Sequence, residues 1–319
     1  MRLFFFSCLL FWGPLISASA EDKKSSAADT LVAATSVAPS SVSGSVKKPL
    51  NSNNQWCVPL VNRLPKITLA QCQGSALQVS GTVSNKGFPL LIRDIPANVN
   101  LTTPAQKTPI RILLIGGIHG DEKTASAIVF KWLDKLNSTA TLSTNEFHWK
   151  IAPVVNPDGM LAPKSTRVNA HGVDLNRNFP TPNWLVEAPE YWRKKTKSDP
   201  RRFPGKAPLS EPESRWVFNQ MEQFQPDVII SVHAPFGVLD FDGSGTPPSK
   251  FGRLMFNRVG VYPGSLGNYG GLHKDIPVVT IELPNSQLMP SDAEVTRIWQ
   301  DMVNWVQQNI SSQIKVAAK

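Results

Sequence analysis

Three groups of polar residues in this chain have the types and spacing that chemistry requires. The run GGIHGDE places His119 and Glu122 three apart on a turn softened by Gly116, Gly117 and Gly120, a spacing that lets an imidazole and a carboxylate converge on one ion. His233, in SVHAPFG, would complete a set of two histidines and one carboxylate with a position left for water, the usual arrangement around catalytic zinc. A histidine with an acid three residues on is common by chance, so the weight rests on the joint placement of the three. Glu282, in TIELP, is a charge in an otherwise apolar strand, where an unpaired carboxylate is costly. A general base facing the metal gives that position a reason; a buried salt bridge is the structural alternative. The third group lies in RVNAHGVDLNRNFP, where Arg167, Asn176 and Arg177 offer two guanidinium groups and an amide. One arginine would grip a substrate carboxylate through paired hydrogen bonds, and the other would stabilise an oxyanion. Asp174 is read as orienting this loop through its backbone, and His148, His171 and His273 as surface or packing residues.

Such residues need a scaffold that brings distant segments together. The sequence after Pro109 alternates apolar strands with amphipathic helices: strands over 110–115, 149–155, 227–232 and 278–283, and helices that place Ala125, Ile128, Val129, Trp132, Leu133 and Leu136, or Val295, Ile298, Trp299, Met302 and Val306, on one face. Ser210 with Glu213 reads as a capping box for a helix through Phe224, and Ser291 with Glu294 as one for the last helix. The pattern implies an α/β domain with a mixed, largely parallel central sheet flanked by helices. In open sheets of this kind sites form beyond the C-terminal strand ends. The polar residues fall there: His119, Asp121 and Glu122 follow the first strand, Asn156 and Asp158 the second, His233 the third, and Glu282 ends the fourth.

The remaining organisation concerns the N-terminus. Residues 1–20 combine Arg2, an apolar run interrupted by Gly13-Pro14, and Ala18-Ser19-Ala20, which is read as a cleavable export signal directing the chain to the periplasm or outside, without stable membrane insertion afterwards. Residues 21–55 read as a flexible low-complexity linker, 56–105 as a small β segment, and 106–319 as the catalytic domain. Cleavage would leave Cys57 and Cys72, expected to pair in an oxidising compartment. It would also lower the net charge from +9 to +8, because the signal carries one arginine and no acid. That excess suits anionic surroundings. Nucleic acid is not expected, since the basic residues are scattered apart from 193–197 and Arg201-Arg202, a cluster read as a solvated loop.

Taken in order, GGIHGDE, NPDGM, GVDLNRNF, SVHAPFG and TIELP resemble the zinc carboxypeptidase superfamily of carboxypeptidases A and B over about residues 109–310. The resemblance implies one zinc ion on His119, Glu122 and His233, Glu282 as the catalytic glutamate, and Asn176 with Arg177 binding a terminal carboxylate. It implies Arg167 as the arginine that polarises the scissile carbonyl. The family's mobile tyrosine has two counterparts nearby, Tyr262 and Tyr269, and Tyr269 is taken as a substrate-binding candidate. The runs NAHGVDLNRNFP and PFGVLDFDG are similar to those of bacterial murein peptide amidases, which implies peptidoglycan stem peptides or muropeptides as substrates. Asp240 and Asp242 would then face the diaminopimelate amine, unless they only build a turn around Gly243 and Gly245. The rival expectations are a general carboxypeptidase, a deacylase of the aspartoacylase type, and a non-catalytic peptidoglycan-binding protein on the same fold.

Overall fold

A computed structural model describes residues 55–97, 109–138 and 147–317, with side chains as far as Ile310. The signal and most of the linker expected before Gln55 lie outside them. No helix among the described residues is long and apolar enough to cross a membrane.

The described residues open with two short helices, α1 (Cys57–Val61) and α2 (Leu69–Gly74), which precede the strands expected in this segment. Thr68 starts α2 through a capping box with Gln71, a signal present in the sequence as T-x-x-Q. The expected disulfide joins the two helices, Cys57 to Cys72, with Cα atoms 5.7 Å apart. The hairpin β1 (Gln78–Val83) and β2 (Pro89–Ile95) follows and pairs antiparallel.

Strand β2 then joins the edge of the main sheet against β4 (Phe147–Ala152). Among the described residues the sheet has nine strands, in the order β1-β2-β4-β3-β5-β9-β6-β8-β7. Its centre is parallel: β3 (Ile110–Gly116) lies between β4 and β5 (Val228–His233), and β9 (Val278–Glu282) lies beside β5. Antiparallel pairs occupy the flanks, β2 on β4 and β6 (Val238–Asp242) on β9. Strand β7 (Lys250–Phe251) and β8 (Leu254–Phe256) complete that edge, β7 antiparallel to β8 and β8 parallel to β6. Strands β3, β5 and β9 are apolar along most of their length, as a sheet covered on both faces requires.

Helices cover both faces. On one, α3 (Lys123–Ser138) and α7 (Asp292–Ala317) bury Trp132, Trp149, Ile298, Trp299 and Met302 in one cluster. On the other, α6 (Pro212–Phe224) packs Trp216, Val217 and Met221 against Leu113, Ile115, Ile229 and Val278. Each fully buried large apolar side chain contributes about 2–3 kcal/mol, so the apolar faces of these helices hold them to the sheet. Short α4 (Pro157–Leu161) and α5 (Trp184–Lys194) lie in the long crossover between β4 and α6.

Capping differs from expectation at both helices. Helix α6 starts at Pro212 with Glu211 as an N-cap that makes no side-chain cap bond, while Ser210 Oγ donates to the Glu211 carboxylate and accepts from Asn178. Proline at the first helical turn has no N–H to satisfy, and a long-range polar network has drawn Ser210 away from capping. Ser291 does cap α7, accepting from the Glu294 N–H at 3.3 Å, but Glu294 turns to the Arg253 N–H and the Arg297 guanidinium.

Candidate metal centre and substrate pocket

Strand register assembles the site. Along β5, Ile229, Ser231 and His233 alternate onto one sheet face, and His233 pairs directly with Glu282 of β9. Antiparallel pairing of β6 on β9 sets Asp240 opposite Thr280 and Asp242 opposite Val278, so both acids share the face that carries Glu282. The turn after β3 brings His119 and Glu122 to the same end. Its Gly120 is required by a close approach: a Cβ there would run into the backbone of Gly159 in the turn after β4.

His119, Glu122 and His233 are all buried, and one donor atom from each lies within 4.8 Å of the others. The orientation of the rings is set from outside. His119 Nε2 lies 3.1 Å from Asp174 Oδ1, and His233 Nε2 lies 3.0 Å from Ser231 Oγ. With Nε2 of His119 donating to the carboxylate, both Nδ1 atoms turn inward, 3.2 Å apart. Glu122 reaches each of them, Oε1 at 2.8 Å from His119 and Oε2 at 3.1 Å from His233, and Oε2 also accepts the Ala234 N–H. Two inward imidazole nitrogens and a carboxylate fit a zinc ion, and the bond from His119 to Asp174 is the outer contact that fixes a ligating ring.

Asp174 does more than hold its own loop. It caps the turn through the Asn176 N–H, contacts His119, and accepts from Arg167 Nε at 2.9 Å. Burial alone would raise its carboxyl, but Arg167 and His119 hold it well below the usual range. Arg167 also reaches Glu122 at 3.4 Å. The Asn156 amide anchors Arg167 by donating to its carbonyl and accepts the Gly159 N–H. Asp158 turns away from the site and binds the β1–β2 turn through Ser84 and the Lys86 N–H. Burial opposes ionisation of Glu122 too, yet the two imidazoles keep it far below its ordinary value.

One cavity of about 140 Å³ is lined by the three metal-set residues, Arg167, Asn176, Arg177, Arg202, Asp240, Asp242, Tyr262 and Glu282. Glu282 is buried and its Oε2 has no protein partner. Burial pushes its carboxyl up, and Glu122 adds to this against His233 and His119. Arg177 is buried, its pKa pushed down to about 10 by that burial, with its guanidinium 4.4 Å from the ring of Tyr262. The turn after Tyr262 passes so close that a Cβ at Gly264 would strike the Arg177 carbonyl. Asp240 and Asp242 belong to β6 and not to a turn. Burial, followed by the neighbouring Asp240, raises Asp242 to about 6, with Arg258 opposing.

Tyr269 is misplaced by the sequence reading: it is a core residue, stacked on Phe179 and tilted against Phe218. Tyr262 is the tyrosine on the pocket wall. Sequence reasoning also missed Arg202, whose segment has no periodicity to place it, and the full reach of Asp174. His148 pairs with Asp94, and His171 with Glu211, both away from the pocket.

Comparison with known proteins agrees with this geometry. Residues 75–242 match the zinc carboxypeptidase family. Murein peptide amidase A of Vibrio campbellii is 30% identical over 218 residues, covering 66% of this chain and 78% of the relative. Murein peptide amidase A of Escherichia coli K12 is 34% identical over 130 residues, 40% of this chain and 50% of the relative, so the match spans about half the length of that protein. Among solved structures, bovine thrombin-activatable fibrinolysis inhibitor in complex with tick carboxypeptidase inhibitor shares the fold with a TM-score of 0.57 and 18% identity, over 82% of this chain and 95% of that one. Because the family match takes in more than half of the chain, and its fold and donor set agree, this chain belongs to the zinc carboxypeptidase family.

Proposed function

We propose that the chain is an exported zinc-dependent amidase that hydrolyses the γ-D-glutamyl–meso-diaminopimelate bond of peptidoglycan stem peptides or muropeptides. The observation that carries this reading is a single cavity that joins the metal set and Glu282 to two opposite charge groups, Asn176 with Arg177 and Asp240 with Asp242. Diaminopimelate offers the matching charges, a carboxylate beside the scissile amide and an ammonium on its side chain. The murein peptide amidases among the relatives point to the same substrate class. Export is supported by the N-terminal signal pattern and by the disulfide of the folded chain.

His119 Nδ1, Glu122 and His233 Nδ1 would hold one zinc ion. When bound, that ion supplies Lewis acidity to the attacking water and the scissile carbonyl. Glu282, unpartnered at Oε2, takes a proton from the water and returns it to the leaving amine; its raised pKa suits both halves of that task. Arg167 is locked through Nε and Nη1, which leaves Nη2 to donate to the oxyanion. Asn176 Oδ1 accepts the Leu266 N–H, which aims its Nδ2 donor away from that bond, and with Arg177 it selects the carboxylate next to the scissile amide.

Incubating the zinc-loaded protein with L-alanyl-γ-D-glutamyl-meso-diaminopimelate and, in parallel, with a blocked hydrophobic dipeptide tests the proposal, with products identified by mass. Free diaminopimelate is expected from the first. Hydrolysis of the dipeptide alone would make this a general carboxypeptidase instead.

A further inference from the structure

The basic segment around Arg201 and Arg202, read from sequence as a solvated loop, reaches the active cavity. Arg202 lines it together with Glu122 and Arg177, and it is close enough to depress the Arg177 guanidinium by like-charge repulsion. Its turn is fixed in place. Asp199 accepts the Arg201 and Arg202 N–H groups, and the Asp199 carbonyl accepts from Trp192 Nε1 at 2.7 Å. The carbonyl of Phe203 accepts the Asp174 N–H at 2.8 Å. Arg201 pairs with Asp121 at 2.9 Å, which holds the turn against the loop carrying His119 and Glu122.

Arg202 itself has no carboxylate partner among the described residues. A guanidinium held beside a second cation, with its backbone bound and its charge unanswered, is arranged for an anion that arrives from outside. In the leaving half of the substrate, Asn176 with Arg177 answers the carboxylate beside the scissile amide and Asp240 with Asp242 answers the side-chain ammonium. The acyl half has a feature that an ordinary α-peptide lacks. A glutamyl residue linked through its γ-carboxyl keeps a free α-carboxylate a few atoms from the scissile carbonyl.

Resting on the murein reading above, we propose that Arg202 is a specificity-determining residue that binds this α-carboxylate and distinguishes γ-D-glutamyl from γ-D-isoglutaminyl substrates, in which that group is an amide. The two peptides have the same shape and differ by one charge. The enzyme therefore favours the acid, by about 10–100-fold in kcat/KM for one charge-assisted pair.

The experiment measures kcat/KM for L-alanyl-γ-D-glutamyl-meso-diaminopimelate and its isoglutaminyl analogue with the zinc-loaded wild type, Arg202→Gln and Arg202→Lys. The expected result is a ratio of acid to amide well above one in the wild type, collapse toward one in Arg202→Gln, and partial retention in Arg202→Lys. Two outcomes overturn the proposal and leave the murein reading standing: a wild-type ratio near one, or an Arg202→Gln variant that loses both substrates equally and so keeps the ratio. If the wild type cleaves neither peptide, the murein reading fails and this inference falls with it.

Discussion

The two sides of the cavity handle charge in opposite ways. Around β3 and β5 the charges are closed on one another: Glu122 on both imidazoles, His119 on Asp174, and Asp174 on Arg167. Around β6 they are left open, with Asp240 and Asp242 side by side on a buried strand and exposed Arg258 opposing Asp242 from a distance. A closed network holds ligands and donors in position before the substrate arrives, which is what electrostatic preorganisation requires. An open set of like charges is unfavourable by itself, and it becomes favourable when a ligand brings the opposite charge. On this comparison, changes on the first side should abolish turnover or metal binding, and changes on the second should alter substrate choice.

The largest effect is expected at Glu282, whose Oε2 is left open beside this closed network. Glu282→Gln preserves shape and removes the base, so kcat should fall by about 10²–10⁴-fold while zinc content, measured by elemental analysis, stays at one per chain. Near-normal turnover in this variant would remove Glu282 from the mechanism. A smaller effect is expected from Asp174→Asn, which leaves His119 and Arg167 without their shared carboxylate. Zinc affinity, read by competition with a chelator, should fall about 10–100-fold. Unchanged affinity would reduce Asp174 to a loop residue.

The same contrast explains what could be read from sequence. Strand ends are predictable from apolar runs, and β3, β5 and β9 carry His119, His233 and Glu282 at or just beyond their last residues, so the metal set and the carboxylate beside it are legible in the sequence. Their outer partners were less so. Asp174 looked like a local turn residue because its backbone bond to Asn176 is local, whereas its bonds to His119 and Arg167 depend on a fold in which the long crossover returns to the strand ends. Asp240 and Asp242 carried an ambiguous signal: two acids before Gly243 and Gly245 suit a turn, and only pairing with β9 makes them strand residues. Tyr262 and Tyr269 are seven residues apart, and nothing local says which faces the cavity. A π-helical turn at Asn268–His273 sends Tyr269 inward onto Phe179, a geometry that sequence periodicity does not encode.

Asp242 gives the comparison its most graded test. Burial and Asp240 raise its pKa to about 6, so the carboxyl is protonated below that pH and charged above it. Only the charged form attracts the diaminopimelate ammonium. The kcat/KM for the murein tripeptide should therefore climb as pH passes through about 6, beyond the rise caused by Glu282, which acts on every substrate. A tripeptide whose side-chain amine is acetylated should lack that extra limb, and Asp242→Asn should lose it for the native peptide, with kcat/KM about tenfold lower at pH 7.5. Stability should move the other way. A carboxyl whose pKa is higher folded than unfolded destabilises the fold as it ionises, so this cost appears as pH rises from about 4 to 6. Thermal melts of Asp242→Asn should then show a higher Tm than wild type at pH 7.5 and little difference at pH 4. A variant that lost stability at neutral pH would mean that Asp242 is internally paired, and the open side of the cavity would be no more open than the other.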